Sequence, residues 1–279
     1  MSTPTRATTP APGAVRTLSR PTPARGGPLA GSLRRTAALA RAELVVLGRN
    51  KTMLSTIVGL PLAFVALLAT VAGDALATAT GAAWAVSLLT ASMLLFVVYY
   101  PVLSAAVARR EEGVLQRFRT GESSDGEVLV ALSLPTVVIT AVMVGVLVVA
   151  GVIVLDVPLP SNPLPVALAV LLGAAALAVI ALLTTVVTRT LESAQITCLP
   201  VVAVCTLGGG VVVPLDGLPP VLRTVAEFTP LSPVVELLRA GWLAGASAGE
   251  VAAQVGILLG WTVLGGLAVR RTFRWSPRS

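Results

Sequence analysis

Long apolar segments without any charged side chain dominate the sequence. Six of them are at least 19 residues long: 52–73, 75–108, 128–155, 157–188, 193–215 and 251–269. A helix of about 20 apolar residues crosses the hydrocarbon core of a bilayer and satisfies its own backbone hydrogen bonds there. The apolar residues run continuously rather than alternating, which is not the pattern of a transmembrane β-barrel. The sequence therefore predicts an all-α integral membrane protein with six transmembrane helices, at about 53–72, 82–108, 128–155, 164–188, 194–213 and 251–269.

The regions that flank these spans are basic. Residues 1–31 are rich in Pro, Thr, Gly and Arg, which predicts a disordered tail that is solvated and attracted to lipid; docking of a partner is the alternative. From Ser32 onward, apolar residues recur at helical spacing opposite a cluster of arginines, which predicts an amphipathic helix along the inner membrane surface. The transmembrane domain is thus expected over 32–272, with a cytoplasmic tail over 273–279.

Positive charge orients the spans. Of the 20 Lys and Arg residues, all but Arg223 and Arg239 precede the first span or follow spans two, four and six. Cationic connections stay in the cytoplasm, so both termini are expected there. The net charge of +7 then describes a basic inner surface, and nucleic-acid binding is not expected. With 12% charged residues and a mean hydropathy of +0.90, a soluble globular enzyme is not expected either.

The connection between spans two and three has an amphipathic pattern. Val114, Leu115 and Phe118 share one side of a predicted short helix, and charged residues surround them. An apolar knob with a charged rim suits a groove on another protein. An ordinary solvated loop is the alternative.

The stretch 211–249 is too polar to cross the membrane and too apolar for a free loop. Two short helices are predicted in it, one from Pro219-Pro220 and one from Ser232-Pro233, because proline favours the first helical turn. Both are expected to be half-buried at the outer surface. Before them, Gly208-Gly209-Gly210 is expected to end span five.

Several kinds of chemistry have no residues to support them. No predicted span contains an ionisable Asp, Glu, Lys, Arg or His, which disfavours a proton-coupled carrier. The sequence has no His and only Cys198 and Cys205, so no metal site is expected. A phosphate-binding G-x-x-x-x-G-K-[ST] loop is also missing. We therefore expect that the chain is not an enzyme and that a partner supplies any energy.

Two features inside the spans have two interpretations each. Tyr99-Tyr100-Pro101 in span two is consistent with anchoring and packing or with the lining of a cavity. Gly256 and Gly260 in span six are consistent with close packing inside the chain or with a dimer seam.

The order of these elements resembles that of the type-2 ABC exporter permeases. Residues 110–118 are similar to the coupling segment of that family, although Val114 stands where Thr is usual, and residues 229–239 are similar to its outer signature. The coupling likeness rests on Arg110, Glu111, Glu112, Gly113, Leu115, Arg117 and Phe118. The outer likeness rests on Pro230, Ser232, Pro233, Glu236 and Arg239.

The resemblance implies a permease subunit in a bacterial plasma membrane. The permease would act as a homo- or heterodimer with two copies of a separate ABC ATP-binding subunit, into which segment 109–119 docks. ATP and Mg²⁺ would bind to that partner, and this chain would bind no cofactor. The resemblance also implies a substrate path between spans two and five, lined here by Ser92, Phe96, Tyr99, Gln195, Thr197, Cys198 and Thr206.

The implied path is weakly polar and uncharged. Such a lining suits a hydrophobic or amphipathic small molecule, so the expected function is ATP-driven efflux of a drug-like or antibiotic-like compound. Export of a lipid, glycan or peptide by the same fold is one alternative. A membrane scaffold or sensor without a transport path is the other.

Overall fold

The computed structural model describes residues 78–111, 125–210, 215–243 and 245–272, together with nine helical positions between 55 and 70. The expected tail 1–31, the amphipathic helix that begins at Ser32, the coupling residues 112–118 and the tail 273–279 lie outside the described residues. Those expectations therefore stay predictions.

All regular structure in the described part is helical. In chain order the helices are α1 (Ala79–Leu94), a short π-helix (Leu95–Tyr99), α2 (Tyr100–Glu111), α3 (Asp125–Leu155), α4 (Pro163–Thr184), α5 (Leu191–Thr197), α6 (Leu199–Gly208), a 3₁₀ turn (Leu215–Gly217), α7 (Pro220–Glu227), α8 (Ser232–Trp242) and α9 (Ala248–Thr272). The predicted all-α class is confirmed for these residues.

Five helical segments of the described part are long and apolar enough to cross a membrane. They are Trp84–Glu111, Ser133–Val154, Pro163–Thr184, Leu191–Gly208 and Ala248–Thr272. These segments correspond to predicted spans two to six. The first span, at 53–72, and the count of six stay predictions, although the described positions there are helical and Val65 is buried beside Met93 and Met143.

Span four ends at Thr184 rather than at the predicted residue 188. The hydroxyls of nearby threonines turn back onto the helix: Thr185 Oγ1 donates to Leu182 O at 2.6 Å, and Thr188 Oγ1 donates to Thr184 O at 2.9 Å. Such bonds compete with the helical backbone ladder. Residues 185–187 form a turn instead, so the predicted end of this span was wrong.

Span five, predicted over 194–213, is one helical segment in which the single residue Cys198 separates α5 from α6. Helix α5 ends at Thr197, and α6 begins at Leu199, because Pro200 has no N–H to continue the ladder. The end of the span agrees with the prediction from the glycine triplet. Gly208 leaves no room for a side chain beside Thr229, and Gly210 has a φ of 68°, which favours glycine.

Helix α4 is the central element. It packs against α1, α2, α3, α8 and α9. Its small residues are fully buried, among them Ala169, Ala174 and Ala176. Small side chains allow the close approach by which helices associate in lipid. At Gly173 of α4, a Cβ atom would lie 2.6 Å from Cγ2 of Val234 in α8, so only glycine fits this contact.

The glycine pair of span six does not make a comparable contact inside the chain. A Cβ atom built on Gly256 or Gly260 would meet no atom of the described residues within 4 Å. The close approach occurs instead at Gly265, where a Cβ atom would lie 2.5 Å from Cγ1 of Val179 in α4. Close packing within the described chain therefore does not explain Gly256 and Gly260.

The two predicted helices after span five are present but are unequally buried. Helix α8 packs against α1, α4 and α9 and buries Val234, Leu237 and Leu238 completely. Helix α7 lies on the surface of the chain, and its Val221 is 75% exposed. The expectation that both are half-buried was therefore wrong, because the small residues of α4 admit α8 and leave α7 outside.

The contact at Gly173 gives a stability prediction. Replacing Gly173→Ala should lower the unfolding free energy of the detergent-solubilised protein by about 1–3 kcal/mol, because Val234 is fully buried and cannot move away freely. Thermal or denaturant unfolding measures the change. Gly145→Ala in α3 is the matched control, since its Cβ would meet nothing among the described residues within 4 Å. Equal effects of the two substitutions would contradict the tight contact.

Candidate functional site

The side chain of Arg110, in the last turn of α2, lies inside the protein. It is 1% exposed. Its Nη1 donates to Thr185 O at 2.9 Å, and its Nη2 donates to Thr188 O at 2.6 Å and to Arg189 O at 3.1 Å. One guanidinium therefore holds three backbone carbonyls of the turn that follows α4.

The end of α4 explains why an arginine is suited to this position. The last carbonyls of a helix have no partners within the helix. Here Thr185 and Thr188 are 1% and 0% exposed, so water cannot readily serve them. A guanidinium has five N–H donors in a planar fork, and its positive charge complements the negative end of the helix dipole. Arg110 thus provides both the hydrogen-bond donors and the positive charge that this helix end favours.

The next residue, Glu111, contacts the start of the following helix. Its Oε1 accepts a hydrogen bond from the backbone N–H of Leu191, the first residue of α5, at 3.3 Å. Thr190 and Ser193 complete this end as a reciprocal capping box. A carboxylate is favourable near the positive N-terminus of a helix. Arg110 and Glu111 therefore hold the two sides of the turn 185–191, each with the charge that its helix end favours.

A line of hydroxyl groups continues from this turn into the membrane-spanning part. Tyr99 is fully buried in the π-helix of span two, and its hydroxyl lies 3.1 Å from Thr184 Oγ1. Thr188 Oγ1 lies 2.8 Å from Thr197 Oγ1 of α5. The bond between Tyr99 and Thr184 joins span two to span four. The bond between Thr188 and Thr197 joins the turn 185–191 to span five. We call the end of the protein formed by 109–111, 185–191 and 270–272 the basic end.

The predicted path residues are not gathered into one pocket of a single chain. Phe96 is 53% exposed, whereas Tyr99 and Cys198 are buried. The hydroxyls of Ser92 and Thr206 donate to carbonyls of their own helices. Gln195 lies on the exposed side of α5. In this conformation Tyr99 packs against α4, and its role in a path stays a prediction, as do those of the other six residues.

A cavity of about 810 Å³ lies at the other end of the spans, which we call the hairpin end. It lies between the first turns of α1, the glycines that end α6, the helices α7 and α8, and the start of α9. Of the outer signature, Ser232, Glu236 and Arg239 line the cavity, whereas Pro230 and Pro233 do not. Sequence reasoning missed the cavity, because its shape depends on how the successive elements between 209 and 257 fold against one another and against Trp84 and Leu88 of α1.

The cavity has an apolar wall and a charged rim. Trp84, Leu88 and Phe228 provide apolar surface. The charge comes from two ion pairs, Arg239 with Glu236 at 3.1 Å and Arg223 with Glu227 at 3.2 Å, and from Glu250 of α9. The arrangement can hold a molecule that has both apolar and polar parts. Among the described residues, no group of three or more His, Cys, Asp or Glu side chains could bind a metal ion.

Hydrogen bonds fix the helices around this cavity. Trp242 Nε1 of α8 donates to Pro158 O at 2.9 Å, and the backbone N–H of Asn162 donates to Gly241 O at 3.0 Å. Trp261 Nε1 of α9 donates to Phe228 O at 2.9 Å. The turn before α4, the end of α8 and the end of α7 are thereby tied to the membrane-spanning helices.

Residues 34–243 match the family model of the ABC-2 type transporter. The match includes α1 to α8 and ends at the residue after α8. No curated protein matches the chain.

The Tyr99 bond can be tested with the neighbouring tyrosine as control. Tyr99→Phe should lower the unfolding free energy by about 0.5–1.5 kcal/mol, because it removes the hydrogen bond to Thr184. Tyr100→Phe should change it little, since the half-buried Tyr100 hydroxyl has no hydrogen-bond partner among the described residues. Unfolding in detergent measures both. Indistinguishable values for the two variants would show that the Tyr99 bond is not stabilising.

Proposed function

Because the chain belongs to the ABC-2 type transporter family, we propose that it is the membrane permease of a bacterial exporter that moves a hydrophobic or amphipathic compound out of the cell. ATP would be hydrolysed by separate ABC ATP-binding subunits, with which permeases of this family work. The family match over residues 34–243 is the observation that carries the proposal.

Charge supports one orientation in the plasma membrane. Arg109, Arg110, Arg189, Arg270 and Arg271 lie at the basic end, and the hairpin end has Arg223 and Arg239. Cationic segments remain in the cytoplasm during insertion. The basic end therefore faces the cytoplasm in our proposal, and the hairpin end faces outward, with both termini inside the cell.

The proposed ATP-binding subunits dock at segment 109–119. Arg110 and Glu111 form its base, where they contact the turn 185–191. The rest of the segment provides the apolar side chains Leu115 and Phe118 with Glu112 and Arg117 beside them, a combination that suits a groove on another protein. Two permease chains would bind two such subunits, and ATP and Mg²⁺ would bind to the subunits alone.

The proposed class of cargo follows from the residues that line the predicted path and from those that line the cavity at the hairpin end. The predicted path offers hydroxyl, amide, thiol and aromatic groups but no charge. The cavity at the hairpin end has a volume within the range of about 300–1,000 Å³ typical of small-molecule sites, and it combines apolar walls with paired charges. A drug-like or antibiotic-like amphipathic compound fits both.

A lipid-like cargo is the second candidate, and the surface of α7 favours it. This helix exposes Val221, Leu222, Val225 and Phe228 beside the cavity. An apolar surface next to a charged rim suits a molecule that has acyl chains and a polar headgroup.

Removing the docking side chains should uncouple the transporter. We expect the double variant Glu112→Ala/Phe118→Ala to abolish ATP-dependent transport of a lipophilic fluorescent compound into inside-out vesicles, because the ATP-binding subunit loses its apolar anchor and a charged neighbour. Membrane insertion should be intact. Glu122→Ala, in the same connection but outside the docking segment, is the matched control and should transport as the unchanged chain does.

Three results would count against the proposed function. Unaltered transport by the double variant would remove the docking mechanism. Export that is ATP-dependent but limited to small hydrophilic solutes would remove the proposed cargo class. A purified chain that brings down no protein with a phosphate-binding loop would instead favour the scaffold or sensor.

A further inference from the structure

We propose that Arg110 and Glu111 act as a clamp that transmits movement of the docking segment to span five through the turn 185–191. Both are positioning residues, because they act through the turn and touch neither nucleotide nor cargo. The inference rests on the proposed function, since it needs an ATP-driven subunit bound at segment 109–119.

The first step is the rigid attachment of α2 to the turn. Arg110 is 1% exposed and uses both terminal nitrogens, so its guanidinium cannot also lie on a docking surface. Its three acceptors, the carbonyls of Thr185, Thr188 and Arg189, are distributed over the whole of the turn. A lysine could not bind these three carbonyls in the same way, because its ammonium group is compact and has no planar fork of donors. Movement of α2 at this end therefore moves the turn.

The second step is the attachment of the turn to span five. Thr188 Oγ1 bonds to Thr197 Oγ1 in the last turn of α5, and Glu111 bonds to the first backbone N–H of the same helix. Helix α5 is therefore held at both of its ends from the basic end of the protein. Among the helices that the structure describes, α5 makes its most extensive contact with α2.

The third step is that less of span five than of span two is buried within the chain. In the most apolar stretch of Leu191–Gly208, 22% of the residues are buried within the chain, against 67% in Trp84–Glu111. Pro200 also removes one backbone hydrogen bond where α5 meets α6, which makes this junction the point at which span five bends most easily, although Cys198 keeps helical dihedral angles. Span two, which is well buried, thus acts on the less buried span five through the turn 185–191, which Arg110 and Glu111 both bind.

The test uses the permease with its ATP-binding subunit in lipid nanodiscs. Cys198 and Cys205 are the two cysteines of the chain, so Cys198→Ala/Cys205→Ala gives a thiol-free background, which is first shown to transport. An environment-sensitive probe is attached at Ile196→Cys in α5, where the side chain is 71% exposed. Two quantities are measured: the probe signal change on trapping with ATP and vanadate, and the cargo transported per ATP hydrolysed.

We expect Arg110→Met to lose the ATP-dependent probe signal and to lower transport per ATP by at least about fivefold, the lower end of allosteric coupling between sites. Arg110→Lys should fall between Arg110→Met and the unchanged chain, because it keeps the charge but not the fork. Arg271→Met is the control. This exposed arginine lies at the same end in α9 and should leave both quantities unchanged.

Arg110→Met leaves three carbonyls of the turn without their donor, so a second variant that keeps this donor is needed. Thr188→Val has this property, because Val has nearly the same shape as Thr and the carbonyl bonds to Arg110 remain. The substitution removes the link to Thr197 together with the bond from Thr188 Oγ1 to Thr184 O, and it should lower transport per ATP by about two- to tenfold. A merely structural role would reduce the yield of folded complex but would not change transport per ATP.

The outcomes separate the clamp from the proposed function. If the unchanged complex transports and gives the probe signal, and if Thr188→Val and every folded Arg110 variant do the same, the clamp is overturned and the proposed function stands. If no ATP-binding subunit joins the unchanged chain, the proposed function fails and the clamp fails with it.

Discussion

The structure depends on how the end of span four satisfies its backbone. A helix that stops inside a protein leaves carbonyls that must find donors, because burying them unpaired costs about 1–3 kcal/mol each. Here Thr185 and Thr188 in the turn after α4 are almost completely buried, and Arg110 provides the donors from another helix. The arginine is thus required by the fold at the place where segment 109–119 begins. In our proposal, one side chain therefore serves both the stability of the fold and the coupling to ATP hydrolysis.

The central position of α4 follows from its small residues. Alanines and Gly173 allow α8 and α9 to lie close to it, and α8 in turn forms one wall of the cavity at the hairpin end. In lipid, packing of this kind replaces the hydrophobic effect as the reason for helices to associate. The same helix therefore connects the two ends of the protein: its start is tied to α8 through Asn162 and Gly241, and its end is tied to α2 through Arg110.

The sequence predicted what depends on local composition and missed what depends on distant contacts. Charge-free runs located spans two to six, and the glycine triplet located the end of span five, because both signals act within a few residues. The burial of Arg110 could not be seen in the same way, since its acceptors lie some 75 residues further along the chain. Arg110 was assigned to the docking segment by the amphipathic pattern of that segment and by the family resemblance. The run Thr184-Thr185 followed by Thr188 was a usable signal for the early end of α4, whereas the unequal burial of α7 and α8 has no counterpart in their sequences.

The central claim is that the basic end, where α2 holds the turn before span five, faces the cytoplasm and its ATP. Labelling of single cysteines in intact cells tests it most directly, in the Cys198→Ala/Cys205→Ala background. Glu192→Cys places a thiol on the exposed first turn of α5 at the basic end, and Leu159→Cys places one at a position that is 67% exposed at the hairpin end. We expect a membrane-impermeant reagent to label position 159 in intact cells and position 192 only after permeabilisation. Labelling of position 192 from outside intact cells would contradict the claim.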